Sequence, residues 1–196
     1  MDNEISKGKE FVDIAEFDGE YPDTNSVFMA ELDGALRRKL AGTPWVSRIE
    51  QLDKPHSWEE RVAFYQDLRK ENVLPNEATY FLIAWAIEAL AQERVDHVYD
   101  TVYAKRFESI RKAHGLRDNE EWEPGKGPKE YEALDKEFSQ AVDAISRSTY
   151  QRFGEHKMAD LLEKNPDEAN RLYEAGHDYI DNLIDEDILA HVREDS

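Results

Sequence analysis

The thirteen residues from Thr79 to Ala91 read TYFLIAWAIEALA, and the single charge among them is Glu88. A carboxylate set between Trp85, Ala86 and Ile87 on one side and Ala89 and Leu90 on the other is costly to bury ionised without a partner. Burial would raise its pKa, which is how general acids and metal-ligand carboxylates are made. The structural alternative is that Glu88 faces the one solvent-touching side of its helix, or pairs with an Arg from a neighbouring helix.

Glu174 and His177 form an E-x-x-H step, which sets a carboxylate and an imidazole on one helix face, and Asp181 extends that row by a turn. Glu88, Glu174, His177 and Asp181 are therefore the candidate ligands of a divalent metal, or the working residues of a hydrolytic helical bundle. A di-metal carboxylate bundle would need a second E-x-x-H helix and two further Glu. The other acid and His pairs at helical spacing, Glu93 with His97 and Asp187 with His191, are four apart and do not repeat the motif. The expectation is thus an ordinary acidic helix face with a His at its border, no cofactor and no assignable catalytic residue. Cysteine is absent, which excludes disulfides, thiolate metal sites and cysteine nucleophiles. No G-x-S-x-G elbow occurs, and the GKG at Gly125–Gly127 lacks both the GK[ST] ending and a preceding strand.

Charge is the second source of chemistry. The 196 residues carry a formal −19, and it is unevenly placed. Residues 1–25 hold two Lys against eight Asp and Glu, residues 26–115 are close to balanced at −1, and residues 116–196 hold ten basic against twenty-two acidic residues. Such a surface repels phosphate backbones and attracts basic proteins, so nucleic acid is disfavoured as a partner and a basic protein favoured. The basic clusters Arg37, Arg38, Lys39 and Arg111, Lys112, His114 fall at expected helix C-termini, where they complement the helix dipole. Trp45, Trp58 and Trp122 lie at helix starts or in a loop, and partly exposed Trp is enriched in binding surfaces. Together with Asp178, Asp181 and Asp185 they make up the expected interaction surface.

These residues must be positioned by helices. An apolar run without a polar face has to be surrounded by other elements, so Thr79–Ala91 is expected at the centre of an all-α bundle of about six to seven helices. Residues 1–25 read as an acidic N-terminal arm, and residues 26–196 as a single helical domain. The first helix is expected over Ser26–Ala41 and ends at Gly42; Thr43 and Pro44 start a short second one. Ser57 with Glu60 is a capping box opening a helix from Trp58 to about Asn72. Leu74 and Pro75 interrupt it, and Asn76 is expected to cap a long helix running to His114. That helix becomes one-sided through Val95, Val98, Tyr99, Val102, Ile110 and Ala113, and Gly115 stops it.

Leu116–Pro128 reads as a loop. The stripe Tyr131, Leu134, Phe138, Ala141, Val142, Ile145, Thr149 and Phe153 marks an amphipathic helix closed by Gly154. A short helix through Met158, Leu161 and Leu162 follows, and Asn165 with Pro166 starts the last one, whose inner side carries Ala169, Leu172, Tyr173, Gly176, Ile180, Leu183, Ile184 and Ile188. The apolar run is shorter than the ~20 residues that cross a bilayer, and MDNEISKGKEF lacks the apolar core of a secretory signal, so a cytoplasmic protein is expected. The function expected from these features is a non-enzymatic interaction module, of inhibitor, immunity or regulatory type, whose negative surface meets a basic partner. A metal-binding or hydrolytic bundle and a structural subunit of an assembly are the alternatives.

Overall fold

The structure is a computed structural model describing residues 24–52, 57–116, 122 and 126–194. The arm expected over residues 1–25 lies outside the described residues, except that Thr24 and Asn25 open the first helix. The fold is all-helical, and no strand occurs among the described residues. The described residues form seven rods. In chain order they are α1 (Thr24–Lys39), α2 (Trp45–Leu52), α3 (Trp58–Lys70), a long rod, α6 (Lys129–Arg152), α7 (His156–Lys164) and α8 (Pro166–Glu194). The long rod joins α4 (Asn76–Val98), a π-helical turn (Tyr99–Tyr103) and α5 (Ala104–Ala113) without a break.

Local chemistry sets most of these boundaries. The capping box forms: the Glu60 amide donates to the Ser57 hydroxyl at 3.3 Å, and the Ser57 amide donates to the Glu60 carboxylate at 3.0 Å. Pro166 is the first residue of α8, and the Asn165 side chain accepts from the Glu168 amide at 3.4 Å. Gly115 and Gly154 take φ of +73° and +74°, the left-handed conformation that lets a chain leave a helix without a Cβ clash. Asn76 does not cap. Pro75 holds the cap position with no side-chain hydrogen bond, and its carbonyl accepts from the Thr79 amide at 3.1 Å, so Asn76 is already helical.

Within Ala78–Ala91 of α4, Glu88 is the one exposed residue. Helices α3, α6 and α8 pack around the rest, which is why this stretch shows no polar face. At the crossing of α4 and α8 the backbones touch: a Cβ on Gly176 would stand 2.1 Å from the Glu77 carbonyl oxygen and 2.6 Å from the Phe81 Cβ. Only glycine permits that approach.

Beyond Val95 the expected stripe is corrected. Val102 is 48 % exposed, while Tyr103 and Phe107 are buried in its place. The π-helical turn holds one more residue than an α-turn, so the face presented after it shifts by one position. Tyr103, Phe107 and Leu134 form a second, smaller hydrophobic cluster, separate from the main core and joined by Tyr99, Tyr131 and Phe138. On α8, Ile188 is 45 % exposed, and the inward position beside it is held by the Asp187 carboxylate, which accepts from the Arg38 guanidinium of α1 at 2.6 Å.

Charged groups also fasten the core. Arg61 of α3 is 1 % exposed and forks onto Asp33 of α1 at 3.0 and 2.6 Å, while also donating to the Tyr65 hydroxyl at 3.0 Å. Burial disfavours the Arg61 cation, but Tyr65 and Asp33 more than offset it and hold its pKa above the ordinary value. Burial pushes the Tyr65 hydroxyl up to about 12. Glu155, at the turn between α6 and α7, accepts from Arg69 at 2.5 and 3.1 Å and from Gln66 at 2.7 Å, tying that turn to α3.

Candidate functional site

Glu88 lies on the exposed side of α4, opposite α6. Its carboxylate accepts from the Ser146 hydroxyl at 3.2 Å and stands beside the buried Tyr150 hydroxyl, whose pKa is raised first by burial and then by Glu88. The same carboxylate adds to the effect of burial in raising the pKa of Tyr173. Glu88 is thus a surface acceptor for hydroxyl groups of α6, the structural alternative weighed for it above.

Glu174, His177 and Asp181 follow one another along the exposed side of α8, with His177 Nδ1 3.4 Å from an Asp181 oxygen. Among the described residues, no three His, Asp or Glu side chains converge so that they could hold a metal ion. Glu88 is engaged with α6 and does not complete such a group. Among the described residues the E-x-x-H step therefore stands on the surface without the second set of ligands that a metal bundle requires.

Helix α8 instead brings Glu174, His177 and Asp178 to the rim of a groove of about 320 Å³, which Phe28, Phe81, Trp85 and Tyr173 line with aromatic rings. Helical spacing places them: Phe81 and Trp85 are one turn apart on α4, Tyr173 and His177 one turn apart on α8, and Phe28 comes from the beginning of α1. The rings meet edge to face. Phe28 lies 5.1 Å from Trp85 and 6.4 Å from Phe81, and Phe81 lies 4.9 Å from Tyr173 and 5.1 Å from the His177 ring. Such edge-to-face contacts lock ring orientation. Sequence reasoning missed this set because Phe81 and Trp85 are indistinguishable there from the rest of the apolar run; the i, i+4 spacing of two aromatic pairs was the available signal.

A larger cleft of about 530 Å³ lies between α6 and α7, lined among others by Asp143, Ser146, Arg147, Tyr150 and Glu163. Its one cation among the described residues, Arg147, already pairs with Glu163 at 2.8 Å. The groove beside α8 has carboxylates at its rim and, among the described residues, neither Lys nor Arg in its lining. The nearby Arg171 is bound through two nitrogens to Glu168, at 2.7 Å each.

The three tryptophans expected on an interaction surface have different positions. Trp58 is corrected: it is 3 % exposed and packs edge-on at 5.0 Å against Trp85, because its place at the start of α3 faces the bundle interior. Its indole N–H is buried and has no acceptor among the described residues. Trp45 is half-buried, 6.1 Å from Phe64, with the Arg48 guanidinium 5.1 Å over its ring. Trp122 packs on Tyr131 at 4.7 Å and on His114 at 6.1 Å, and His114 in turn bonds Glu130 at 2.7 Å. The loop tryptophan thus lids the second hydrophobic cluster. Asp178, Asp181 and Asp185 are exposed on α8.

Fold and groove together define a class, an all-helical protein with an acidic rim over an aromatic groove. No family model, curated protein or solved structure gives a significant match to the chain. No helix of the described residues is long and apolar enough to cross a membrane.

Proposed function

We propose that this protein is a non-enzymatic binding module that receives a basic protein partner on the outer face of α8. One observation carries the reading. Glu174, Asp178, Asp181 and Asp185 are all exposed and recur at the three-four spacing that aligns them along one side of the helix, and from Leu172 to Val192 α8 contains neither Lys nor Arg. Several carboxylates elsewhere do have cations: Glu137 has Arg106, Asp160 has Lys164, Glu168 has Arg171. An unneutralised row of like charges disfavours the isolated molecule slightly and steers a complementary partner.

The test uses a deca-lysine peptide and the full chain, with binding followed by calorimetry between about 50 and 300 mM salt. Affinity is expected to fall steeply with salt. It is also expected to fall at least tenfold when Glu174→Gln, Asp178→Asn, Asp181→Asn and Asp185→Asn are combined. A control that neutralises the exposed Glu31, Glu50, Asp135 and Asp143 instead is expected to lose much less. Equal losses in the two variants, or binding indifferent to salt, would remove α8 as the docking face.

A further inference from the structure

We infer that the aromatic groove is a receptor for one arginine side chain of the basic partner; this rests on the α8 reading and specifies what it recognises. The groove offers two features that select a cation. Aromatic rings carry negative faces that attract a cation placed over them, and Phe28, Trp85 and Tyr173 are partly exposed around a floor made by the buried Phe81. Glu174 and Asp178, one helical turn apart on the same rim, add two carboxylates that can accept hydrogen bonds.

A guanidinium suits this combination better than an ammonium. It is flat, so it stacks against rings while its edge presents a fork of N–H donors to a carboxylate. It is also more weakly hydrated, so less is lost when it leaves water for a site walled by rings. Lysine would bring a compact, strongly hydrated charge that satisfies the rim but not the walls. Among the described residues the lining contains no Lys or Arg that would occupy the site from within, and Trp58 packs edge-on against Trp85 in the ring wall. His177 borders the same rim, with its Nδ1 3.4 Å from an Asp181 oxygen.

The experiment is an NMR titration of the full chain with N-acetylarginine amide, compared with N-acetyllysine amide and with sodium chloride at matched ionic strength. The Trp85 indole resonance is assigned through Trp85→Phe, and the distant Trp122 indole serves as the internal reference. The expected result is a saturable shift of the Trp85 indole, with an affinity on the order of millimolar, while Trp122 stays still. Lysine amide is expected to bind at least threefold more weakly. Glu174→Gln with Asp178→Asn is expected to weaken arginine binding at least fivefold, and Asp181→Asn with Asp185→Asn, outside the groove, to leave it within twofold. A silent Trp85, equal affinity for the two amides, or no effect of the rim variant would overturn the inference. A silent Trp85 with salt-dependent deca-lysine binding intact would sink the groove alone; loss of deca-lysine binding would sink the α8 reading on which it rests.

Discussion

Asp33, Arg61 and Tyr65 meet in the interior, where the Arg61 terminal nitrogens donate to both Asp33 oxygens and to the Tyr65 hydroxyl, and this is where single residues matter most to the fold. Removing the Asp33 carboxylate takes two hydrogen bonds and an ion pair from a guanidinium that is 1 % exposed. Asp33→Ala is therefore expected to lower unfolding free energy by about 3–5 kcal/mol, measured by urea titration, whereas the joint replacement Asp33→Leu with Arg61→Met is expected to be far milder. The Tyr65 hydroxyl gives the trio a pH signature. Its folded pKa is raised to about 12 from 10.0, so the folded state retains a proton that the unfolded chain gives up. That stabilisation is complete below pH 10 and is lost as pH climbs toward 12, at about 1.4 kcal/mol for each unit of the shift. Urea midpoints should fall across that window, and Tyr65→Phe should flatten the fall. The sequence reading did not single out this trio, although Asp33 stands beside Leu32 and Leu36, and Arg61 between Trp58, Val62 and Tyr65, at inward positions of their helices. What periodicity could not reveal is that two such misplaced charges would face each other across twenty-eight residues of chain.

Helix contacts depend on how closely backbones approach, and here the two buried-side glycines differ. Gly176 meets backbone, the Glu77 carbonyl at 2.1 Å, whereas Gly34 meets only the Asp187 carboxylate at 3.3 Å, the end of a side chain. Gly176→Ala must push α4 and α8 apart and is expected to destabilise by about 3 kcal/mol or more, at the upper end of overpacking effects. Gly34→Ala is expected to stay within about 1 kcal/mol, since helix propensity gains what the carboxylate's adjustment loses. Thermal melts of the two variants decide the contrast. Because α4 and α8 also carry the groove, Gly176→Ala should weaken arginine binding as well. The π-helical turn shows another limit of reading elements from sequence. Caps and glycines mark ends because their hydrogen bonds are local, but one extra residue in a turn leaves no compositional trace, and so the inward positions after Tyr99 were read as Val102 where the structure uses Tyr103 and Phe107.

At the scale of the molecule, two hydrophobic clusters of unequal size divide the stability. The main core involves α1, α2, α3, α4, the end of α6, α7 and α8, while the far end of the long rod is held to α6 by Tyr103, Phe107, Leu134 and the Arg106–Glu137 pair at 2.8 Å. An exposed ion pair adds little, so that end should open on its own. Hydrogen exchange is expected to run at least tenfold faster for amides of α5 than for Ala78–Ala91, and Trp122→Ala, which removes the lid, should widen the gap without moving the main unfolding transition. Matching exchange rates in the two regions would show one cooperative unit. The all-helical class, the buried central helix, the capping box and the stop at Gly115 were determined by the sequence alone, because burial periodicity, caps and left-handed glycines act within a few residues. The groove was not. Its rings come from α1, α4 and α8, spread from Phe28 to Tyr173 along the chain, and which of the apolar side chains in α4 end as floor, wall or core is set by where neighbouring helices stop covering them. Tertiary packing likewise decided that Trp58 is interior and Glu88 exterior, since a helix apolar on nearly every side does not record which of its faces the bundle leaves open.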